Sequence, residues 1–469
     1  MARVVMVGGG VVGLCGALML GRDGHEVTVL ERDAAPPTDP EAAWDGWERR
    51  GVNQFRMLHY FAPRFRGVME ANAPEVVRAL EDAGALRSNP FRDIPAEITG
   101  GFQESDAVYD AVTARRPIAE AAIAGVVDAN ENVTVRRGVA VDGLIAGDST
   151  GDGIPHVIGV RTDAGDELLA DIVIDAGGRR SSLPKLLTEV GARAPIEEQE
   201  DCGFVYYGRH FRSGDGSVPA MFGPLLMQYE SASILTLPAD NGTWGVGVIV
   251  SAKDAALRGL KDVDTWSRTV KGYPLAAHWL DGEPIDDGIA IMAKIEDRHR
   301  TFVIDGKPVA TGVLALADSW ACTNPSVGRG ISIGVIHAAA LRELLQHAPS
   351  DPVELARGWY DATMQAVEPW YRGTLSFDQG RLAQIHAEID GKPFEPEPEY
   401  EMTMALMAAA NKDPEMLRTF LDIAGVIAAP GEVFARPGVF ERVIEVGGGW
   451  RDEQLPGLSR EELLAVVSA

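Results

Sequence analysis

The feature that most constrains this chain lies at its start, "RVVMVGGGVVGLCGALMLGRDGHEVTVLE", Arg3 to Glu31. Val4 to Val7 run into Gly8-Gly9-Gly10-Val11-Val12-Gly13, an apolar stretch continues to about Leu20, and a second apolar run ends on Glu31. The spacing predicts a strand, a glycine turn, a helix and a parallel strand, the opening of a dinucleotide-binding unit. Each glycine has a mechanical reason. Gly8 allows the tight turn, Gly10 lets backbone N–H groups approach a pyrophosphate, and Gly13 lets helix pack on strand. The helix N-terminus stabilises phosphate charge. Glu31 is placed to accept hydrogen bonds from a ribose diol, and Val12 and Arg32 complete this candidate cofactor site. The motif does not choose between NAD and FAD.

Composition removes other classes. The chain of 469 residues carries a formal net charge of −26 and no long Lys/Arg run, which argues against nucleic acid and anionic membranes as partners. Three cysteines, Cys15, Cys202 and Cys322, lack paired spacing, so a reducing compartment is expected and a structural metal site is not. The glycines interrupt the first apolar stretch too early for a signal peptide, and no apolar run approaches a membrane span. A soluble, cytoplasmic protein is expected.

Two later segments bear on the dinucleotide. "ADIVIDAGGRRSSLP" runs from an apolar strand into a glycine turn, and "LADSWACTNPSVGRGISIG" from an apolar strand through Asp318 and Pro325 into Gly328, Gly330 and a new helix near Ile331. With the first motif, these resemble the three signatures of FAD-dependent monooxygenases of the para-hydroxybenzoate hydroxylase type, in order, over residues 1 to about 345. The resemblance implies that Asp318 accepts a hydrogen bond from a ribityl hydroxyl of FAD. It also implies that Pro325, Gly328, Gly330 and Ile331 flank the isoalloxazine ring, with the helix dipole aimed at its pyrimidine edge. On its own, Asp318 would read equally as a helix N-cap.

"GVNQFRMLH", with Gln54 and His59, is similar to the segment after the second strand of polyether-type flavin epoxidases. "ARRPIAEAAI" resembles a helix whose arginine contacts FAD, which would be Arg116. The middle motif has Gly177 and Pro184 where the hydroxylases carry Asp and Arg, a form shared with the epoxidases and with flavin-dependent halogenases. The resemblance therefore leaves two electron sources open, NAD(P)H or a partner flavin reductase, with O2 as cosubstrate.

The architecture expected is α/β. A Rossmann-like FAD-binding domain (1–197, returning at 309–345) is interrupted by a mixed β-sheet substrate domain (198–308) and followed by a helical C-terminal cap (346–469). Tyr206, Phe222, Met227, Tyr229, Trp244 and Asn324 are the candidate substrate-pocket residues. His59 and His210 are the candidate general acids, since the flavin would carry the chemistry and the chain shows no Ser/His/Asp or metal pattern. Ser459 with Glu462 reads as a capping box for the last helix. The resemblance implies epoxidation or hydroxylation of an apolar, natural-product-type small molecule through a flavin hydroperoxide. The alternatives are a reductase or dehydrogenase of the geranylgeranyl reductase type and a halogenase. Against the last stands the missing Trp-x-Trp-x-Ile-Pro stretch, of which only Trp244 has a counterpart.

Overall fold

The computed structural model describes residues 1–150 and 152–469. In chain order the strands that position the site are β1 (Arg3–Val7), β2 (Glu26–Glu31), β3 (Val133–Arg137), β4 (Ile172–Asp175), β5 (Phe204–Arg212), β6 (Leu226–Gln228), β7 (Ala232–Pro238), β8 (Thr243–Ser251), β9 (Glu283–Pro284), β10 (Ala290–Met292) and β11 (Val313–Ala315). The helices are α1 (Val11–Arg22), α2 (Arg116–Asp128), α3 (Val263–Lys271), α4 (Gly330–Gln346), α5 (Pro352–Ala366), α6 (Glu368–Asp390), α7 (Pro398–Ala410), α8 (Pro414–Ala424) and α9 (Arg460–Ser468).

A five-stranded parallel sheet in the order β11–β4–β1–β2–β3 forms the first layer. Val4 of β1 stands opposite both Val27 and Ile172, so the central strand is covered on both edges and both faces. Only an apolar run such as "VVM" tolerates that position. Helix α1 is buried along nearly its whole length, because α2 and α4 pack beside it over the sheet. Gly334 makes the α1–α4 approach possible: a Cβ there would lie 2.4 Å from Val12 Cγ2.

The inserted sheet runs β6–β7–β8–β5–β9, with β10 also on β5. It was expected to be mixed, and every pair in it is antiparallel: β6–β7 and β7–β8 are hairpins, and β5 pairs with strands distant in sequence. Its two faces differ in kind. Trp244, Val246, Val248 and Val250 point to one side, into a core closed by Trp266 and Val270 of α3 and Leu463 of α9. Each such side chain contributes roughly 1.5–3 kcal/mol on burial. The other face is bare at Gly208 and Gly245, where a Cβ would stand 2.7 and 2.5 Å from the side chain of Leu58, which is seated in this hollow.

The capping box forms: Ser459 Oγ accepts from Glu462 N–H, and Glu462 Oε2 accepts from Ser459 N–H (2.9 Å). The helix it starts belongs to the inserted sheet's core and is not part of a separate cap. Helix α6 packs against α7, and α7 and α8 share the apolar cluster of Leu406, Ala409, Met416 and Ile423. Among the described residues no helix is long and apolar enough to cross a membrane.

Candidate functional site: a cavity between two helix N-termini

A cavity of about 900 Å³ runs from the N-terminus of α1, past the N-terminus of α4, to the facing sides of α7 and α8. At the α1 end the three glycines of the first motif have three different surroundings. Gly8 has φ +106°, and a Cβ on it would lie 2.4 Å from the Ala176 carbonyl oxygen. At Gly13 a Cβ would lie 2.2 Å from the Gly8 carbonyl oxygen. Gly10, at the N-cap of α1, has no described atom within 4 Å of a Cβ and opens on the cavity. The first and third glycines are thus demanded by the protein's own packing, and the middle one leaves a cradle that a side chain would fill.

The second helix N-terminus is built by the third motif. After β11 the chain turns at Ala317, whose φ of +54° is costly for a residue with a Cβ. His337 of α4 holds this turn: its Nδ1 accepts the Ala317 N–H (3.0 Å). Burial pushes its imidazole down to about 3, so it is neutral, and its Nε2–H then donates to Thr363 Oγ1 (2.9 Å). The turn presents Asp318 to the cavity. Burial raises its carboxyl above the usual range, against the opposing charges of Arg179 and Arg116. Pro325, Gly328, Gly330 and Ile331 line the same wall, and Gly330 again has no described atom near a Cβ.

The middle motif ties the other two together. Asp175, at the end of β4, accepts from Gly177 N–H (3.0 Å) and from the hydroxyls of Ser181 and Ser319. Arg179 reaches across to the carbonyls of Glu296 (2.6 Å) and Thr323 (2.9 Å) and lines the cavity.

A buried ion network flanks the cradle. Arg49 binds Glu31 (2.5 Å), Asp33 (3.2 Å), the Gly9 carbonyl (3.1 Å) and Glu120. Glu120 also takes Arg116 Nε (2.5 Å), and Arg116 Nη1 meets His59 Nε2 (3.2 Å). Burial would raise the Glu120 carboxyl, but the charges of Arg49 and Arg116 together hold it below the usual range. Arg49 and Glu120 were not singled out from sequence. The one local signal was the i,i+4 spacing of Arg116 and Glu120 on α2.

The sequence-derived candidates divide accordingly. Gly10, Val12, Gly13, Gln54, His59, Arg116, Asp318, Pro325, Gly328, Gly330, Ile331, Phe222 and Asn324 line the cavity. Glu31 lies beside it, its carboxylate accepting from Gly9 N–H (2.7 Å) and Asp33 N–H (2.8 Å) as well as from Arg49. Five binding-residue assignments are corrected. Arg32 is exposed, with its guanidinium against Gly51, because the residue after Glu31 points to the opposite side of the chain. Met227, Tyr229 and Trp244 lie on the far face of the inserted sheet, in the core with Trp266 and Tyr273. Tyr206 faces the right way but is buried behind the wall, its hydroxyl donating to Asn324 Oδ1 (2.6 Å).

Neither histidine suits a general acid. His210 is buried against Trp44 and Asp286, away from the cavity lining. His59 reaches the cavity, but burial and the neighbouring Arg116 push it down to about 3. It is therefore neutral, with Nδ1–H donating to the Met57 carbonyl (2.9 Å) and Nε2 accepting from Arg116.

Behind the third motif, Asp378 of α6 accepts from Ser326 Oγ (2.6 Å) and Asn324 Nδ2 (3.1 Å), and Asp297 accepts from Asn324 N–H (2.6 Å). Burial pushes Asp378 up to about 7 and Asp297 up to about 6. The folded chain thus holds a proton on Asp378 from the ordinary carboxylate value up to near neutrality. Stability from this group is complete below that range and declines as pH rises through it. Asp378→Asn should remove the decline. Its melting temperature relative to the unsubstituted protein is expected to rise between pH 5 and pH 8, and a constant difference would show that Asp378 does not titrate there.

No family model matches the chain. Protein Rv3254 of Mycobacterium tuberculosis (strain ATCC 25618 / H37Rv) is 24% identical over 439 residues, covering 89% of this chain and 88% of that protein. Among solved structures, PqsL, a probable FAD-dependent monooxygenase from Pseudomonas aeruginosa, superposes with a TM-score of 0.58 at 17% identity over 83% of this chain and 99% of that one. The flavin-dependent brominase Bmp2 gives 0.59 at 16% identity over 96% of this chain and 100% of that one. The chain therefore has the fold of these flavoproteins.

Proposed function

We propose that this chain is an FAD-dependent monooxygenase that hydroxylates or epoxidises an apolar small molecule, with O2 as cosubstrate. The observation that carries the reading is one cavity joining the open Gly10 cradle, Asp318 and the bare N-terminus of α4 to apolar walls from the inserted sheet and from α7 and α8. The likeness in fold to PqsL, which has been solved in complex with 2-aminobenzoylacetate, supports a small-molecule substrate. Bound FAD would supply the redox chemistry, taking electrons from NAD(P)H or a partner flavin reductase and passing them to oxygen.

The residues present fit that group. Gly10 and the first turn of α1 would meet the pyrophosphate, where backbone N–H groups and the helix dipole favour negative charge. Glu31 keeps a lone pair free for a ribose hydroxyl. Asp318 would accept from the ribityl chain, and Gly328 and Gly330 leave bare backbone beside the ring. The N-terminus of α4 places its positive end there, where it would stabilise negative charge. His59 orients Arg116, and the apolar walls from Leu226 to Met404 exclude water. The halogenase reading gains nothing from Trp244, which is sealed in the core.

The purified protein is expected to be yellow. Its flavin band should bleach anaerobically on addition of NADPH or NADH, or of NADH with a flavin reductase, and return on admitting air. A protein that takes up no FAD would overturn the reading. A reduced protein indifferent to oxygen would move it to a reductase or dehydrogenase.

A further inference from the structure

The chain is strongly acidic overall, at −26, yet its cavity is not. Four basic side chains, Arg116, Arg179, Arg329 and Lys412, line it against two acidic ones, Asp318 and Glu453. Three of the four are engaged. Arg116 is paired with Glu120, Arg179 spans two backbone carbonyls near Asp318, and Lys412 is paired with Glu453 at the outer end. Arg329 is different. Its guanidinium has no hydrogen-bond or ion-pair partner among the described residues, and its Nε is buried without one. The nearest carboxyl influencing it is Asp378, whose two oxygens are already taken by Ser326 and Asn324.

A half-buried guanidinium whose Nε is withdrawn from water without a partner carries a desolvation cost that an anion in the cavity would relieve. Burial lowers Arg329 only to about 10, so it is charged at neutral pH. It stands at the N-cap of α4 within the charge influence of Asp378 of α6, and Phe377 of the same helix lines the cavity with it. The walls beyond it are apolar, with Leu226, Leu235, Met404 and Phe420. A guanidinium fork matches a carboxylate with two parallel hydrogen bonds.

We propose that Arg329 anchors a carboxylate head group of the substrate, whose apolar remainder lies toward α7 and α8. This deepens the monooxygenase reading by naming a substrate class, an amphipathic carboxylic acid, and it rests on that reading for the word substrate. Binding itself can be tested without the flavin, because Trp320 and Trp450 both line the cavity and report on occupancy by their fluorescence.

Octanoate and octanol are titrated into the full-length protein, with tryptophan fluorescence as the first readout and the flavin band as the second. Octanoate is expected to bind at least about tenfold more tightly than octanol, the worth of one charge-assisted pair. Arg329→Met should erase the preference while leaving octanol binding in place, and Arg329→Lys, a point charge without the fork, should keep part of it. Equal affinities in the unsubstituted protein, binding of neither ligand, or a preference that survives in Arg329→Met would each overturn the proposal. Should Arg329→Met bind neither ligand, Arg329→Lys decides: an undiminished preference overturns the proposal, and a reduced one upholds it. A protein that shows the preference by fluorescence but holds no FAD would sink the monooxygenase reading and leave the anion site standing.

Discussion

Replacing Gly10 with leucine is expected to abolish FAD binding while leaving the protein folded. The backbone at Gly10 has φ −77° and ψ 178°, an extended conformation open to any residue, and no described atom lies within 4 Å of the position a Cβ would take. The added Cβ therefore meets nothing of the protein, and the side chain projects into the space assigned to the pyrophosphate. A loss of at least about a hundredfold in FAD affinity, near 2.8 kcal/mol, is expected. The melting temperature of the cofactor-free protein should change little. FAD content by absorbance and a thermal melt of the apoprotein test the two halves separately. Normal FAD uptake by Gly10→Leu would mean that the cradle is elsewhere. Gly13→Ala is the contrasting case: its Cβ would fall 2.2 Å from the Gly8 carbonyl oxygen, so it should damage the fold itself.

The second large effect concerns stability. Arg49→Met should destabilise the protein by about 3–5 kcal/mol, the usual result of removing one partner from a buried ion pair. Glu120 is fully buried and Glu31 and Asp33 nearly so, and Arg49 is the cation they share. Without it Glu120 retains only Arg116, and Glu31 loses the group that orients it beside the cradle. Denaturant unfolding measures the loss. Adding Glu120→Gln to Arg49→Met should recover part of it, because the uncompensated charge is then gone, and this non-additivity identifies the network as the cause. A loss below about 1 kcal/mol would show that water or a neighbouring cation replaces Arg49.

The parts of the site that were legible in the sequence are those made by consecutive residues. The turn at Gly8, the cradle at Gly10, the close packing at Gly13 and the Asp318-to-Ile331 wall are each set by local backbone geometry, which a short stretch of chain encodes by itself. The capping box at Ser459 is of the same kind. The inserted sheet was harder to read for an equally physical reason. Strand alternation assigns residues to two faces, but every position of β8 is buried, so hydrophobicity does not tell the cavity face from the core face. Tyr206 and Trp244 were drawn from opposite faces as a result. The signal present was the pair Gly245 and Gly247 with Gly208, which leaves one face bare for Leu58.

By itself, then, the sequence determined the cradle, the order of the three motifs and the parallel sheet beneath them, because these depend on conformational needs of neighbouring residues. Only the tertiary structure decided which charges meet. Arg49 gathers acids from β2, the turn after it and α2, His59 is neutralised by burial beside Arg116, and Arg329 is left in the cavity wall without a partner among the described residues. Those outcomes depend on desolvation and on distances between residues far apart in the chain, and neither exists until the layers have packed.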